Sequence, residues 1–170
     1  KNVYFPQNSD KLIGLLDGRR NFLVQEKLKQ HSFFNQFNPH GINSMRVNIY
    51  RSVEDEKLHV VNIAFRMGVG GSLDNLTSGG IVVMVREDGI MDGYALDAFG
   101  GKFLKHPDTG ATFDQRIPEF ESLKNTALNV ASKILYARII CLDLGFDAEG
   151  KWRMIEVNLN GTTLMFANYH

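Results

Sequence analysis

Two carboxylates and one amide, Asp143, Glu156 and Asn158, are the residues whose types and spacing could do chemistry in this chain. They lie on two apolar-rich runs, 139–146 and 151–157, separated by Asp147-Ala148-Glu149-Gly150, which is turn chemistry. A β-hairpin is the expected product. A short loop centred on Ala148 and Glu149 puts Asp143 opposite Met154. Side chains alternate along a strand, so Asp143, Met154, Glu156 and Asn158 are expected to share one face. Leu142, Leu144, Phe146, Ile155 and Val157 take the other, which is apolar enough to be core. Acids converging on one face are costly if buried and unpaired, and a bound cation removes the cost. Hard oxygen donors suit Mg2+ better than zinc or copper, and Mg2+ fills the rest of its shell with water and phosphate oxygens. The residues describe either a Mg-nucleotide site or an edge hairpin with a solvated acidic face, and periodicity does not separate the two.

The elements that must position this hairpin form an α+β pattern. Ser9-Asp10 can cap a short helix over 11–16, closed by Gly18. Residues 21–25 read as a strand, and 26–36 as a short helix followed by a loop through Asn38-Pro39. Strands are expected at 44–51 and 58–67, joined by the acidic turn Glu54-Asp55-Glu56. Residues 68–80 form a loop carrying five glycines. Residues 80–86 and 90–96 pair around Asp88-Gly89, a strong hairpin signal, and 101–104 suits another strand. After the loop 107–116, Pro118 opens the best helix in the chain, over 119–136, with Glu119 and Glu121 suited to its N-terminal dipole. Leu123, Ala127, Val130, Ala131, Ile134 and Leu135 make its apolar stripe, which should pack on the even-numbered face of the 139–146 strand.

Other polar residues carry weaker signals. Arg66 ends an apolar strand just before the glycine loop, a place that suits either a phosphate contact or an ordinary ion pair. Arg46, on the preceding strand, has the same two readings. The pairs Gly70-Gly71 and Gly79-Gly80, with Asp74 and Asn75 between them, would let backbone approach a ligand. His106 stands in His-Pro-Asp-Thr-Gly with no second histidine at ligand spacing, which reads as a loop hydrogen-bonder before a catalyst. Cys141, the single cysteine, falls on the same face as Asp143 and reads as a small buried residue.

The spacing Asp143-x12-Glu156-x-Asn158, with its second half as Ile-Glu-Val-Asn, resembles the metal-binding signature of ATP-grasp enzymes, such as D-alanine–D-alanine ligase and biotin carboxylase. Gly41-Ile-Asn43-Ser-Met-Arg46-Val, Phe65-Arg66-Met-Gly68, Leu73-Asp74-Asn75-Leu-Thr-Ser-Gly79-Gly80-Ile and His106-Pro-Asp-Thr-Gly110 are similar to one branch, the sugar-transfer-associated ATP-grasp family found beside polysaccharide genes. The resemblance runs from about residue 21 to 160. It implies the larger ATP-grasp lobe: an antiparallel sheet backed by one long helix. It implies ATP with two Mg2+ ions, or Mn2+, held by Asp143, Glu156 and Asn158. Arg66 and Arg46 would act on the phosphates, and Gln25, Glu26, Lys27 and Leu28 would read the adenine edge. Asn75 and Met154 would complete the nucleotide surroundings.

The activity implied is that of a carboxylate ligase working through an acyl phosphate that an amine or other nucleophile attacks, with a role in polysaccharide biosynthesis. Kinase-like phosphotransfer on the same site, or a degenerate glycan- or partner-binding domain, are the alternatives. ATP-grasp enzymes also carry an N-terminal lobe with a Gly-rich loop and a lysine. The residues before Val24 contain no such loop. The expectation is therefore that 1–20 is a remnant of that lobe or a linker, and that 21–170 is the C-terminal lobe, inactive when isolated.

Bulk composition agrees and excludes little else. The 170 residues suffice for one domain with a real core. Nineteen basic and nineteen acidic residues give a formal net charge of zero, so nothing argues for a nucleic-acid or membrane-surface partner. A single cysteine rules out a disulfide framework and zinc clusters. No run approaches the roughly 20 apolar residues of a membrane helix, and no signal peptide is visible, so a cytoplasmic location is the expectation. The partners expected are a nucleotide and a carboxylate or sugar-linked acceptor.

Overall fold

The computed structural model describes residues 8–18, 24, 26–71, 74 and 78–160. Its centre is a seven-stranded antiparallel sheet in the order β5-β4-β3-β2-β1-β6-β7. The strands are β1 (Ser44–Arg51), β2 (Leu58–Met67), β3 (Ile81–Val85), β4 (Ala95–Leu96), β5 (Lys102–Phe103), β6 (Ile139–Phe146) and β7 (Trp152–Asn158). Among the described residues three helices accompany them: α1 (Ser9–Leu16), α2 (Ser32–Asn35) and α3 (Phe120–Ser132). β1 and β2 occupy the residues expected from sequence, with a register shift between them where Asn48 pairs with Asn62 and Ile49 with Val60. α3 carries the chain across the sheet, so that β6 returns beside β1 on the side away from β2.

One face of the sheet packs against α3. Met45, Val47 and Ile49 of β1, Ile63, Phe65 and Met67 of β2, and Ile140, Leu142 and Leu144 of β6 are buried in one cluster with Leu123, Ala127 and Ala131 of the helix. The even-numbered face of β6 thus meets the helix stripe, as expected from sequence. Phe34, Phe37, Phe65, Phe146 and Trp152 extend this core as edge-to-face and tilted aromatic contacts.

α3 is shorter than the expected 119–136. Glu119 takes a left-handed conformation (φ 49°, ψ 42°) as its N-cap, and its carbonyl accepts the indole N–H of Trp152 at 3.0 Å. At the other end Arg51 terminates the helix. Its Nη2 donates to the carbonyls of Ala131 (3.1 Å) and Ile134 (3.0 Å), which turns the chain away after Ser132. Leu135 and Tyr136 lie outside the helix and are exposed.

Other elements depart less. α1 starts at Ser9 because Asn8 is the cap, its Oδ1 accepting the N–H of Lys11 at 2.9 Å. Asp88-Gly89 makes the expected turn, with Arg86 and Gly89 amides bonded to the carbonyls of Ile90 and Arg86. Only Ala95–Leu96 of its second arm is a regular strand. Gly89 has φ +82°, and a Cβ there would lie 2.8 Å from the Phe120 ring. The proposed strand at 21–25 falls largely outside the described residues.

The β6–β7 hairpin closes on Asp147, whose Oδ1 accepts the amides of Glu149 (3.1 Å) and Lys151 (2.8 Å), while Gly150 takes φ +75°. Its register differs from the alternating one. Phe146 pairs with Trp152 and Leu144 with Met154, but Asp143 pairs with Glu156. Ile155 is the extra residue of a β-bulge. Met154 therefore lies opposite a core leucine, not opposite Asp143, and its expected place on the polar face is corrected. Ile155, expected on the core face, instead brings its Cδ1 to 3.1 Å from where a Cβ on Gly145 would stand.

Candidate functional site

The sheet face turned away from α3 carries the polar residues. Cross-strand partners share a face, and the pairs Ser44–Arg66, Arg46–Ala64, Arg46–Asp143, Asn48–Cys141, Asp143–Glu156 and Cys141–Asn158 place these side chains together. Asp143 is their centre. It is only 5% exposed, yet carries a carboxylate. Arg46 donates from Nε to Oδ1 at 2.8 Å and from Nη2 to Oδ2 at 2.7 Å, a two-pronged contact. Arg66 Nη1 reaches the same Oδ2 at 3.0 Å, and Asn158 Nδ2 stands 3.4 Å from it. The hydrogen bond to Asp143 holds the Arg46 guanidinium still more firmly protonated than usual.

Arg66 has a second acid. Its Nη2 lies 3.5 Å from Oδ1 of Asp74, whose other oxygen accepts from the Ser44 hydroxyl. Burial pushes the Asp74 carboxyl above the ordinary carboxylate range, against the pull of Arg66 and Ser44. One row along the sheet, the Cys141 thiol meets Asn48 Oδ1, and Asn48 Nδ2 donates to Asn62 Oδ1 at 2.6 Å. Burial raises the Cys141 thiol, which keeps it a neutral, inert group.

Both proposed phosphate arginines and all three proposed metal ligands thus lie on one face, with Glu156 its exposed member. Glu26 and Lys27 are exposed beside the hairpin. Leu28 extends to 3.3 Å from a Cβ on Gly145, near Ile42 and Ile155, forming a small apolar step at the end of the charged cluster. Gln25 and Asn75 lie outside the described residues. Asn43 belongs to the scaffold: its Nδ2 donates to the carbonyls of Phe34 (2.9 Å) and Asn38 (3.1 Å).

Sequence reasoning missed Ser44, Gly145 and the pairing of Asp74 with Arg66. Ser44 could have been found by counting two residues back from Arg46. Gly145 could have been found as a glycine inside a strand, two residues beyond Asp143, where a bare backbone marks close approach. The Asp74–Arg66 contact joins a loop to a strand and left no periodic signal.

The sugar-transfer-associated ATP-grasp family model matches residues 10–169. The chain belongs to that family. Searches of curated proteins and of solved structures return no significant match. Membership points to ATP-dependent, ligase-like chemistry associated with sugar transfer, on a fold that binds nucleotide. An ATP-grasp lobe of this kind is the α+β architecture described above. Among the described residues no helix is long and apolar enough to cross a membrane.

ATP-grasp chemistry brings Mg2+ or Mn2+ with the nucleotide, and the donor set fits such an ion. Asp143, Glu156 and Asn158 offer hard oxygens from paired strands on one face. The set is two carboxylates and an amide; among the described residues no three His, Cys, Asp or Glu side chains form a metal cluster. Both oxygens of Asp143 are engaged by guanidinium groups, so an ion taking Asp143 would loosen Arg46 and Arg66 from it.

Proposed function

We propose that this face binds the phosphates of ATP, and that the chain is the larger lobe of a ligase that activates a carboxylate as an acyl phosphate for attack by an amine or other nucleophile, in polysaccharide biosynthesis. The observation that carries the reading is the convergence of Arg46 and Arg66 on Asp143 in the middle of a sheet face. Two guanidinium groups around one buried carboxylate leave positive charge to offer an anion once that carboxylate has another partner.

In this reading Asp143, Glu156 and Asn158 would hold Mg2+, which when bound offsets phosphate charge. Arg46 and Arg66 donate to phosphate oxygens and follow the charge as it shifts toward the transferred group. Leu28, Ile42 and Ile155 give the base an apolar step beside Gly145, and the backbone of 26–28 supplies its polar edge. Ser44 and Asp74 steady Arg66 from the side away from the carboxylate pair. Catalysis on such a face is positioning and electrostatics, with no covalent nucleophile.

The test is titration calorimetry with Mg-ADP, followed by ATP turnover in the full-length protein with hydroxylamine and a panel of carboxylate-bearing sugars. A hydroxamate product marks an acyl phosphate, whereas a stable phosphoester marks a kinase. Glu156→Gln keeps the shape, removes the charge and leaves the fold intact, since Glu156 is exposed. It should abolish turnover. Wild-type turnover in that variant would remove Glu156 from its assigned role.

A further inference from the structure

The His106-Pro-Asp-Thr-Gly110 turn lies outside the charged cluster, yet it grips the loop that leads from Arg66 to Asp74. His106 is buried at 1% exposure, and its Nε2 bonds the carbonyl of Gly68 at 3.1 Å. Its Nδ1 accepts the N–H of Asp108 at 3.3 Å, so Nε2 carries the proton and the ring is neutral. Asp108 Oδ2 accepts the N–H of Gly70 at 2.7 Å. From a separate segment, Asn38 Nδ2 donates to the carbonyl of Gly71 at 3.0 Å. Three side chains thus hold three backbone groups of one short glycine turn, in which Gly70 has φ +67°.

Glycine costs the most conformational entropy to order, so a glycine turn held at three points is one whose position matters. The turn begins two residues after Arg66, and Asp74 stands three residues beyond its end, back against Arg66 and Ser44. We infer that His106, Asp108 and Asn38 are positioning residues for Arg66: they fix the Gly68–Gly71 turn, and with it the Asp74 carboxylate that sets where the Arg66 guanidinium lies for a phosphate. The phosphate half of this inference rests on the nucleotide reading above; the positional half does not.

Asp108 gives the clean experiment, because it is exposed and its loss leaves no cavity. The full chain is compared with Asp108→Ala and Asp108→Asn, the second of which keeps a side-chain oxygen for the Gly70 amide. Two readouts are taken: the guanidinium nitrogen signals of Arg66 by NMR, and Mg-ADP affinity by calorimetry, each beside the melting temperature. Asp108→Ala should move the Arg66 signals and weaken Mg-ADP by about tenfold, since small displacements of a binding group are costly. Asp108→Asn should restore both, and Thr109→Ala, one residue along, should change neither. Unmoved Arg66 signals in Asp108→Ala would overturn the inference. Moved signals with unchanged affinity would overturn its phosphate half. If the wild-type chain itself fails to bind Mg-ADP, the nucleotide reading falls, and the Arg66 signals still decide the positional claim.

Discussion

Arg46 and Asp143 meet side-on across β1 and β6, Nε to Oδ1 at 2.8 Å and Nη2 to Oδ2 at 2.7 Å, although 97 residues separate them in the chain. They are register partners, so the strand pairing itself brings the fork of the guanidinium to the carboxylate.

A double-mutant cycle should show this coupling in the folded state. Asp143→Asn leaves Arg46 and Arg66 facing an amide inside the face, and should destabilise by about 3 kcal/mol or more, as broken buried pairs do. Arg46→Met alone should cost less, because Arg66 still partners Asp143. The coupling energy from urea denaturation should be on the order of 1–3 kcal/mol, and strictly additive costs would show that the two residues act independently.

Arg51 should matter for stability rather than for ligand binding. It is buried and closes α3 through the carbonyls of Ala131 and Ile134. Arg51→Met keeps much of the bulk and removes both charge-assisted bonds, for an expected loss of about 2–4 kcal/mol. Hydrogen exchange should quicken first at the C-terminal turn of α3. A melting temperature unchanged from wild type would dismiss the capping role.

Gly89 is a position where a single methyl group should be felt. The left-handed backbone disfavours any other residue there, and the added Cβ would meet the Phe120 ring at 2.8 Å. Gly89→Ala should lose roughly 2 kcal/mol or more from backbone strain and overpacking together. Equilibrium unfolding measures it, and a loss below about 0.5 kcal/mol would mean the turn and α3 are free to shift apart.

His106 predicts the sign of an acid effect. Burial holds the imidazole below its ordinary value of 6.5, with the Gly68 carbonyl and the Asp108 charge opposing. The unfolded chain therefore takes up the proton first. Stability should be complete above the unfolded value and should fall as the pH drops through about 6.5 toward the depressed folded value. Asp74, with its raised pKa, works in the opposite sense as the pH falls toward its unfolded value of 3.8. The urea midpoint measured from pH 7.5 to 5.5 should slope less in His106→Asn, and an equal slope in both proteins would acquit the histidine.

Much of the scaffold was legible from local pattern. β1 alternates apolar and polar residues, Asp88-Gly89 names its own turn, and the Leu123–Ala127–Ala131 stripe identifies the helix face. The three-residue acid–acid–amide signature located the polar face as well. What stayed hidden was non-local or irregular. A period-two count cannot see the extra residue at Ile155, so it exchanged the faces of Met154 and Ile155. No spacing announces that Asp143 is shared by two arginines from two other strands. The end of α3 was overshot because the apolar stripe runs on to Leu135, while the stop comes from Arg51, eighty residues before Ala131.

The bulge in β7 reconciles two demands on one short strand. Trp152 is core and Glu156 belongs to the polar face, yet four positions apart is an even count, and an unbroken strand would point both the same way. Either the indole would leave its aromatic neighbours or the acid and Asn158 would turn toward the helix. The surplus residue changes the parity between them. The twelve-residue interval in the signature is therefore a turn plus one fault in the pleat, and a chain with eleven intervening residues would bring the same two acids face to face with no fault at all.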